Sequence, residues 1–174
     1  MDPPVALDQG FPPVADSAAH TLVLGSLPGR RSLQAREYYA HPRNAFWTII
    51  ARLFGISSPL PYTERLKILT EHGIALWDVL AAAERPGSLD GPIVHATARP
   101  NDFAAFYRSH PHIRCVFFNG RKAEVLYRRW VLPALPAAAG VLRHECLPST
   151  SPAYAGMALA EKLERWSRIK ESAQ

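Results

Sequence analysis

The run Thr21-Leu22-Val23-Leu24-Gly25-Ser26-Leu27-Pro28-Gly29 begins as an apolar segment typical of a β-strand and ends in a glycine- and proline-rich turn. Three other apolar runs end in a similar way, at the motifs Trp77-Asp78, Asn119-Gly120 and Pro148-Ser149-Thr150-Ser151-Pro152. In an open parallel sheet the ligand crevice lies at the carboxyl ends of the strands. The pattern therefore predicts that four loop tips meet at one pocket.

The segments between these runs carry apolar residues at helical spacing. Strands separated by helices indicate βαβ units, and so an α/β fold with a parallel sheet and right-handed crossovers. The stretch from Ala81 to Pro100 is predicted to be irregular. The predicted strands are Thr21 to Leu24, Ile74 to Leu76, Ile113 to Phe118 and Val141 to Leu147; the predicted helices are Phe46 to Phe54 before Gly55, Thr63 as N-cap to Gly73, Asn101 as N-cap to Pro111, Arg121 to Leu132, and Met157 to Ile169.

Length and composition indicate one domain. The chain has 174 residues, of which 48% are hydrophobic, which is enough for a substantial core. Residues 1–18 are proline-rich without periodicity, so we expect a flexible leader followed by a single domain at residues 19–174. The start lacks the features of a signal peptide, and no window is apolar enough to span a bilayer. A soluble, cytoplasmic protein is therefore expected.

The charge and the candidate ligands narrow the function classes. A formal net charge of +5 makes an anionic partner plausible, although many α/β enzymes are mildly basic. The seven histidines are scattered without metal-ligand spacing, so we expect neither a metal nor another cofactor. Cys115 and Cys146 fall in predicted strands, so we expect both to be buried free thiols. Two cysteines alone cannot hold an iron–sulfur cluster.

The segment Tyr38-Tyr39-Ala40-His41-Pro42-Arg43-Asn44-Ala45-Phe46-Trp47 is unusually rich in aromatic rings and hydrogen-bond donors for a surface loop. Its composition indicates a pocket for a flat ring. Two further motifs are Pro100-Asn101-Asp102-Phe103 and Phe118-Asn119-Gly120-Arg121-Lys122-Ala123. In their order and spacing, these two motifs, the aromatic segment and the four strand-end motifs resemble the uracil-DNA glycosylase superfamily. The resemblance runs from about Thr21 to Ile169 and is greatest to the hypoxanthine-DNA glycosylase branch.

This resemblance implies a three-layer α/β/α fold with a central four-stranded, mostly parallel sheet. It also implies a monofunctional enzyme, acting as a monomer, that flips a deaminated base, hypoxanthine or uracil, out of DNA and hydrolyses its glycosidic bond. Relatives that cut uracil usually carry Asp or Asn in the first glycine motif, where this chain has Ser26. Several also carry a histidine before the last motif, where this chain has Leu147. The resembled branch uses the asparagine of the His-Pro segment instead, which is Asn44.

Asn44 is accordingly the candidate catalytic residue, positioning the attacking water through its amide. An asparagine directly before a helical run is also a favoured cap, so that alternative stays open. Asp78 is the candidate specificity residue, because a carboxylate accepts the ring N–H of hypoxanthine or uracil but meets a lone pair in adenine or cytosine. A helix or turn cap is its alternative. Phe46 is a candidate for stacking on the base, or else a core residue.

The remaining candidates follow the same motifs. The full base-binding set is Gly25, Ser26, Leu27, Tyr39, Phe46, Asp78 and Asn119. The candidate DNA-binding set, in which short hydroxyls grip phosphates and Tyr154 is placed to enter the emptied base stack, is Gly29, Arg43, Gly120, Lys122, Ser149, Thr150, Ser151 and Tyr154.

Three alternatives to a deaminated-base glycosylase remain open from the sequence. The chain could be a catalytically weak member that only binds DNA, because the usual Asp or Asn and His are absent. It could be specific for uracil or thymine mismatches, because that branch shares the His-Pro segment. It could also be a hydrolase or binding module for free nucleosides.

Overall fold

The computed structural model describes residues 6–57, 59–86, 92–137 and 142–172. Its centre is a four-stranded parallel sheet in the order β3-β2-β6-β7. Each strand ends at one of the four motifs, and Gly25 lies beside Asp78 in the register of β2 and β3. The seven strands are β1 Asp8–Gln9, β2 Thr21–Gly25, β3 Ile74–Asp78, β4 Leu80–Ala83, β5 Arg99–Pro100, β6 Cys115–Asn119 and β7 Arg143–Leu147.

Helices cover both faces of this sheet. Alternation along the strands sends Leu22 and Leu24 to one buried cluster, with Phe103 and Tyr127, and sends Val23 to a second cluster. The expected three-layer α/β/α architecture is therefore confirmed. The helices are α1 Arg30–Ala35, α2 Phe46–Leu53, α3 Tyr62–Glu71, α4 Phe103–Ser109, α5 Arg121–Leu126, which continues as a π-helical turn Tyr127–Val131, α6 Leu159–Trp166 and α7 Arg168–Glu171.

A small antiparallel sheet was not expected. Strand β4 pairs with β1 and with β5, within and beside the stretch predicted to be irregular. Each partner strand is only two residues long, too short to leave a period-two signal in the sequence.

Residues 6–18, expected to be part of a flexible leader, are bonded to the domain. Val14 exchanges two backbone hydrogen bonds of 2.8 Å with Leu76, and the carbonyl of Phe11 accepts from Trp77 Nε1 at 3.0 Å. The carbonyl of Pro12 accepts from the hydroxyl of Tyr38 at 3.0 Å. A proline lacks the N–H but keeps its carbonyl, so a proline-rich segment can still be held by its acceptors.

Three local expectations are wrong. Helix α3 begins after Pro61 rather than at a Thr63 cap, because proline is well suited to the start of a helix. Asp102 caps α4 by accepting from the N–H of Ala105 at 2.9 Å, whereas the side chain of Asn101 donates to the carbonyl of Asp78. Cys115 is buried as expected, but Cys146 is exposed because β7 is an edge strand. Val141, predicted to begin β7, lies outside the described residues.

Candidate active site

The loops that follow the four parallel strands line one cavity of about 410 Å³ at the carboxyl edge of the sheet. The volume lies in the range of about 300–1,000 Å³ found for small-ligand sites. Lining residues come from every strand-end motif and from the His-Pro segment. The predicted site residues among them are Gly25, Ser26, Leu27, Gly29, Tyr39, Asn44, Asp78, Asn119, Gly120, Lys122, Ser149, Thr150, Ser151 and Tyr154.

The carboxyl group of Asp78 forms part of the cavity floor. The residue is 3% exposed, and its buried Oδ2 atom finds no hydrogen-bond partner in the described ranges. The absence of a side chain at Gly25 makes room for it, because a Cβ at that position would collide with Oδ1 of Asp78. A buried polar atom without a partner is costly, and such groups in native proteins generally have a role. The carboxyl group is therefore available to a ligand.

Burial also sets the protonation of this group. Desolvation raises the pKa of Asp78 to about 7, against a smaller opposite effect of the positive charge on Arg85. The side chain of Arg85 is itself 6% exposed, lines the cavity and lies 3.8 Å from the carboxylate of Asp8. Sequence reasoning missed Arg85, because it follows β4 within the stretch predicted to be irregular.

Tyr39 supplies a hydroxyl beside the same carboxyl group. A Cβ at Gly25 would lie 3.0 Å from this oxygen, which is buried and has no well-formed hydrogen bond. Burial, and then the neighbouring charge of Asp78, raise the pKa of Tyr39, so its hydroxyl stays protonated and remains a donor. Asn119 is near enough to oppose this shift slightly, but its amide is committed to Thr150.

Of the two aromatic residues in the predicted base-binding set, Tyr39 lines the cavity and Phe46 does not. Phe46 is fully buried in the core, and its ring stacks on that of Tyr39 with centroids 4.2 Å apart. The predicted direct contact of Phe46 with a base therefore does not agree with the structure. Tyr39 has a φ of 55°, a left-handed conformation that tyrosine seldom adopts, and such strain occurs preferentially at functional sites.

Asn44 lines the cavity and also fixes the start of α2. Its Oδ1 atom accepts from the N–H of Phe46 at 2.9 Å, but the N-cap of the helix is Ala45, so Asn44 forms a turn directly before the cap and the capping alternative is not realised. An amide oxygen has two lone pairs, and the amide nitrogen adds two donors. The bond to Phe46 therefore orients the amide and leaves hydrogen-bonding capacity for a second group.

Asn119 joins the third strand-end loop to the fourth. Its Oδ1 accepts from the N–H of Thr150 at 2.9 Å, and its Nδ2 donates to the hydroxyl of Thr150 at the same distance. Thr150 in turn accepts from the N–H of Ala45 through its carbonyl, at 3.0 Å. These bonds hold three loops in one arrangement. Thr150 is 1% exposed, so it fixes the cavity wall rather than offering a free hydroxyl.

The mouth of the cavity is positively charged and carries hydroxyl groups. Arg30, Arg31, Arg121 and Lys122 line it from the first and third loops. Ser149, Ser151 and Tyr154 line it from the fourth loop, whereas the predicted DNA-binding residue Arg43 is exposed outside the cavity lining. Such a rim suits a phosphate backbone.

Two further properties hold for the described part of the chain. Its helices are too short or too polar to cross a bilayer. Within the described ranges, no three His, Cys, Asp or Glu side chains are grouped so that they could hold a metal ion.

The fold and the cavity define the chain as a three-layer α/β/α protein with a ligand cavity at the carboxyl edge of a parallel sheet. It belongs to the uracil DNA glycosylase superfamily, whose family model matches residues 12–170. Two similar proteins are each named "Hypoxanthine DNA glycosylase". The protein from Methanosarcina acetivorans is 36% identical to this chain, in an alignment that covers 79% of this chain and 89% of the relative. The protein from Methanosarcina barkeri is 39% identical, in an alignment that covers 66% of this chain and 72% of the relative.

A solved solution NMR structure has the same fold as this chain. It is of a Methanosarcina acetivorans protein described as a candidate uracil DNA glycosylase, and it superposes with a TM-score of 0.79 at 30% sequence identity. The match covers 97% of this chain and all of the other.

Proposed function

We propose that this chain is a monofunctional DNA glycosylase that flips hypoxanthine, and secondarily uracil, out of DNA and hydrolyses its N-glycosidic bond. Two relatives named hypoxanthine DNA glycosylases support the choice of base. The observation that carries the proposal is the buried Oδ2 atom of Asp78 on the cavity floor, which has no hydrogen-bond partner within the described part of the chain.

Hypoxanthine and uracil share a lactam edge, in which a ring N–H lies next to a carbonyl group. The ionised carboxylate of Asp78 accepts the N–H, and the hydroxyl of Tyr39 donates to the neighbouring carbonyl. Adenine and cytosine reverse both groups, with a ring lone pair and an amino group. They would leave the acceptor and the donor of the protein unpaired, which a buried site rejects strongly.

Hydrolysis needs modest help from the protein. As the bond breaks, the sugar gains oxocarbenium character and the base departs with negative charge. Asn44, oriented by its bond to the N–H of Phe46, uses its second lone pair to hold the attacking water. Water then bonds to the sugar carbon, and the electron pair of the glycosidic bond leaves with the base. The proton that the water loses passes to solvent, and the departing base anion takes one up from solvent. No covalent intermediate with the protein is required.

The extruded nucleotide is held through its phosphates. The hydroxyls of Ser149 and Ser151 and the cationic rim line the cavity, which supports contacts with the phosphates on either side of that nucleotide. Phosphate contacts fix the register of the protein on DNA without reading the sequence. Because cationic side chains release counterions when they bind phosphates, the affinity for DNA should fall steeply as the salt concentration is raised.

The test is a panel of oligonucleotides that contain hypoxanthine, uracil, xanthine, a thymine mismatch or only normal bases, assayed for abasic-site formation. We expect the wild type to cut hypoxanthine most rapidly. The Asp78→Asn variant should lose at least about 100-fold in kcat/KM, equivalent to about 2.7 kcal/mol, and should discriminate less against adenine.

Asp102→Asn is the matched control, because it removes one carboxylate from the cap of α4 and leaves the cavity unchanged. It should cut hypoxanthine like the wild type. Salt-sensitive DNA binding without any cutting would instead identify a DNA-binding member, and turnover of free nucleosides would identify the third alternative.

A further inference from the structure

Helix α6 holds both ends of the loop formed by residues 148–154. Trp166 Nε1 donates to the carbonyl of Pro148 at 2.9 Å, and Lys162 Nζ donates to the carbonyl of Tyr154 at 2.8 Å. The two side chains are four residues apart and so lie on the same face of the helix. One helix face therefore fixes the beginning and the end of the loop that forms one wall of the cavity mouth.

Lys162 is an unusual member of this pair. It is 6% exposed, although lysine is almost never so deeply buried without a partner. Its ammonium group lies 5.2 Å from the centroid of the Tyr154 ring as well as bonding to the Tyr154 carbonyl. The backbone and the ring of one residue are thus held by one cation, through a charge-assisted hydrogen bond and a cation–π contact.

The loop between these two ends is closed by its own hydrogen bonds. The N–H of Tyr154 donates to the carbonyl of Ser151 at 3.0 Å, and the hydroxyl of Ser151 accepts from the N–H of Ala153 at 3.2 Å. The ring of Tyr154 nevertheless stays 44% exposed at the cavity mouth. An exposed aromatic ring on a tightly bonded loop is preorganised for contact with a partner.

We propose that Lys162 is a positioning residue, which holds Tyr154 in the orientation needed to fill the gap that an extruded base leaves in duplex DNA. The inference rests on the proposed function. Because the loop is ordered before DNA arrives, little conformational entropy is lost when the ring enters the stack. A single strand has no gap to fill, so Lys162 acts only on duplex substrates.

The first test compares duplex and single-stranded oligonucleotides that contain hypoxanthine. Lys162→Met and Tyr154→Ala should each lower kcat/KM on the duplex about tenfold and change it less than twofold on the single strand. The double variant should be no worse than either single one, because residues that act as a unit are not additive. Lys162→Arg should restore most of the activity.

Lys170→Met is the matched control. It removes one positive charge from α7, where Lys170 lies 6.0 Å from the ring of Phe54, and it leaves the loop untouched. It should behave like the wild type on both substrates. Additive losses in the double variant, or equal losses of Lys162→Met on single and double strands, would overturn the inference.

A second measurement works on the protein without DNA and separates the two proposals. Hydrogen exchange at the amide of Tyr154 should be at least tenfold faster in Lys162→Met than in the wild type, and unchanged in Lys170→Met. Thermal unfolding shows whether each variant is folded. If the wild type cuts no DNA, the proposed function fails whatever the exchange shows; if exchange is unchanged in Lys162→Met, the positioning role fails whatever the activity.

Discussion

The carboxyl group of Asp78 and the hydroxyl of Tyr39 lie over the same residue, Gly25, where a Cβ would contact both. One group is an acceptor when ionised, the other is a donor, and neither Asp78 Oδ2 nor the Tyr39 hydroxyl has a hydrogen-bond partner among the residues that the structure describes. Neighbouring residues fix both groups: Asp78 ends β3 beside Gly25, and the ring of Tyr39 is stacked on the buried Phe46. The pair therefore presents a fixed hydrogen-bonding pattern to the cavity.

The pH dependence of activity should report the protonation of Asp78. Because the proposed acceptor is the ionised form and burial raises the pKa of Asp78 to about 7, kcat/KM for hypoxanthine should rise as the pH increases through about 7 and level off above it. Steady-state rates between pH 5.5 and 9 would show this. Asp78→Asn should abolish this rise of kcat/KM with pH. A rate that instead increases toward low pH would mean that neutral Asp78 donates to the base, against the proposal.

The same shift predicts a dependence of stability on pH. Asp78 binds its proton more tightly when folded, near pH 7, than when unfolded, near pH 4, so its burial destabilises the protein fully above about pH 7 and progressively less as the pH falls toward 4. Asp78→Asn should therefore raise the free energy of unfolding at pH 8, by at most about 4 kcal/mol, and by little at pH 4. Urea unfolding at the two pH values measures this, with Asp102→Asn as the control. A variant no more stable than the wild type at pH 8 would contradict the burial cost.

The sequence was sufficient for the sheet and for the position of the cavity, because β2, β3 and β6 are largely apolar runs and all four parallel strands end in distinctive turns. It was not sufficient for details that depend on distant residues. The bonding of Asn119 to Thr150 joins residues 31 positions apart, and no local pattern encodes it. Lys162 looks like an ordinary solvated lysine in a helix, and only the packing of α6 against the loop shows that it is buried.

The sequence also did not show which of Phe46 and Tyr39, both predicted to bind the base, lines the cavity. Both rings belong to one aromatic segment, and helical spacing alone favours Phe46 as easily for the core as for the cavity. The deciding feature is the positive φ of Tyr39, which turns its side chain toward Gly25. A tyrosine carries no sequence signal for that conformation, whereas a glycine at this position would have indicated it.

Asn44 should show a catalytic loss larger than its structural one. Asn44→Ala removes both the bond to the N–H of Phe46 and the bond to water, and we expect kcat to fall at least about 100-fold while stability falls by about 1 kcal/mol. Asn44→Ser is the matched variant, because a serine hydroxyl can accept from the backbone N–H two residues on but is too short to reach a second partner in the cavity. Serine should restore the melting temperature without restoring activity. A loss below threefold in Asn44→Ala would remove Asn44 from the mechanism.

Gly120 should be needed for DNA binding as well as for folding. It has a φ of 91°, and a Cβ there would lie 2.9 Å from the Cβ of Ser149, so Gly120→Ala must displace the serine that lines the cavity mouth. Gly55 also has a positive φ, of 69°, but no atom of the described residues lies within 4 Å of its Cβ position. Gly55→Ala should therefore cost only about 1 kcal/mol of stability and leave DNA binding unchanged. Gly120→Ala should in addition weaken binding to hypoxanthine-containing duplex about tenfold, measured by fluorescence anisotropy at fixed salt. If Gly120→Ala and Gly55→Ala bind the duplex equally well, a backbone effect alone accounts for both results. The position of Ser149 then does not matter for DNA binding.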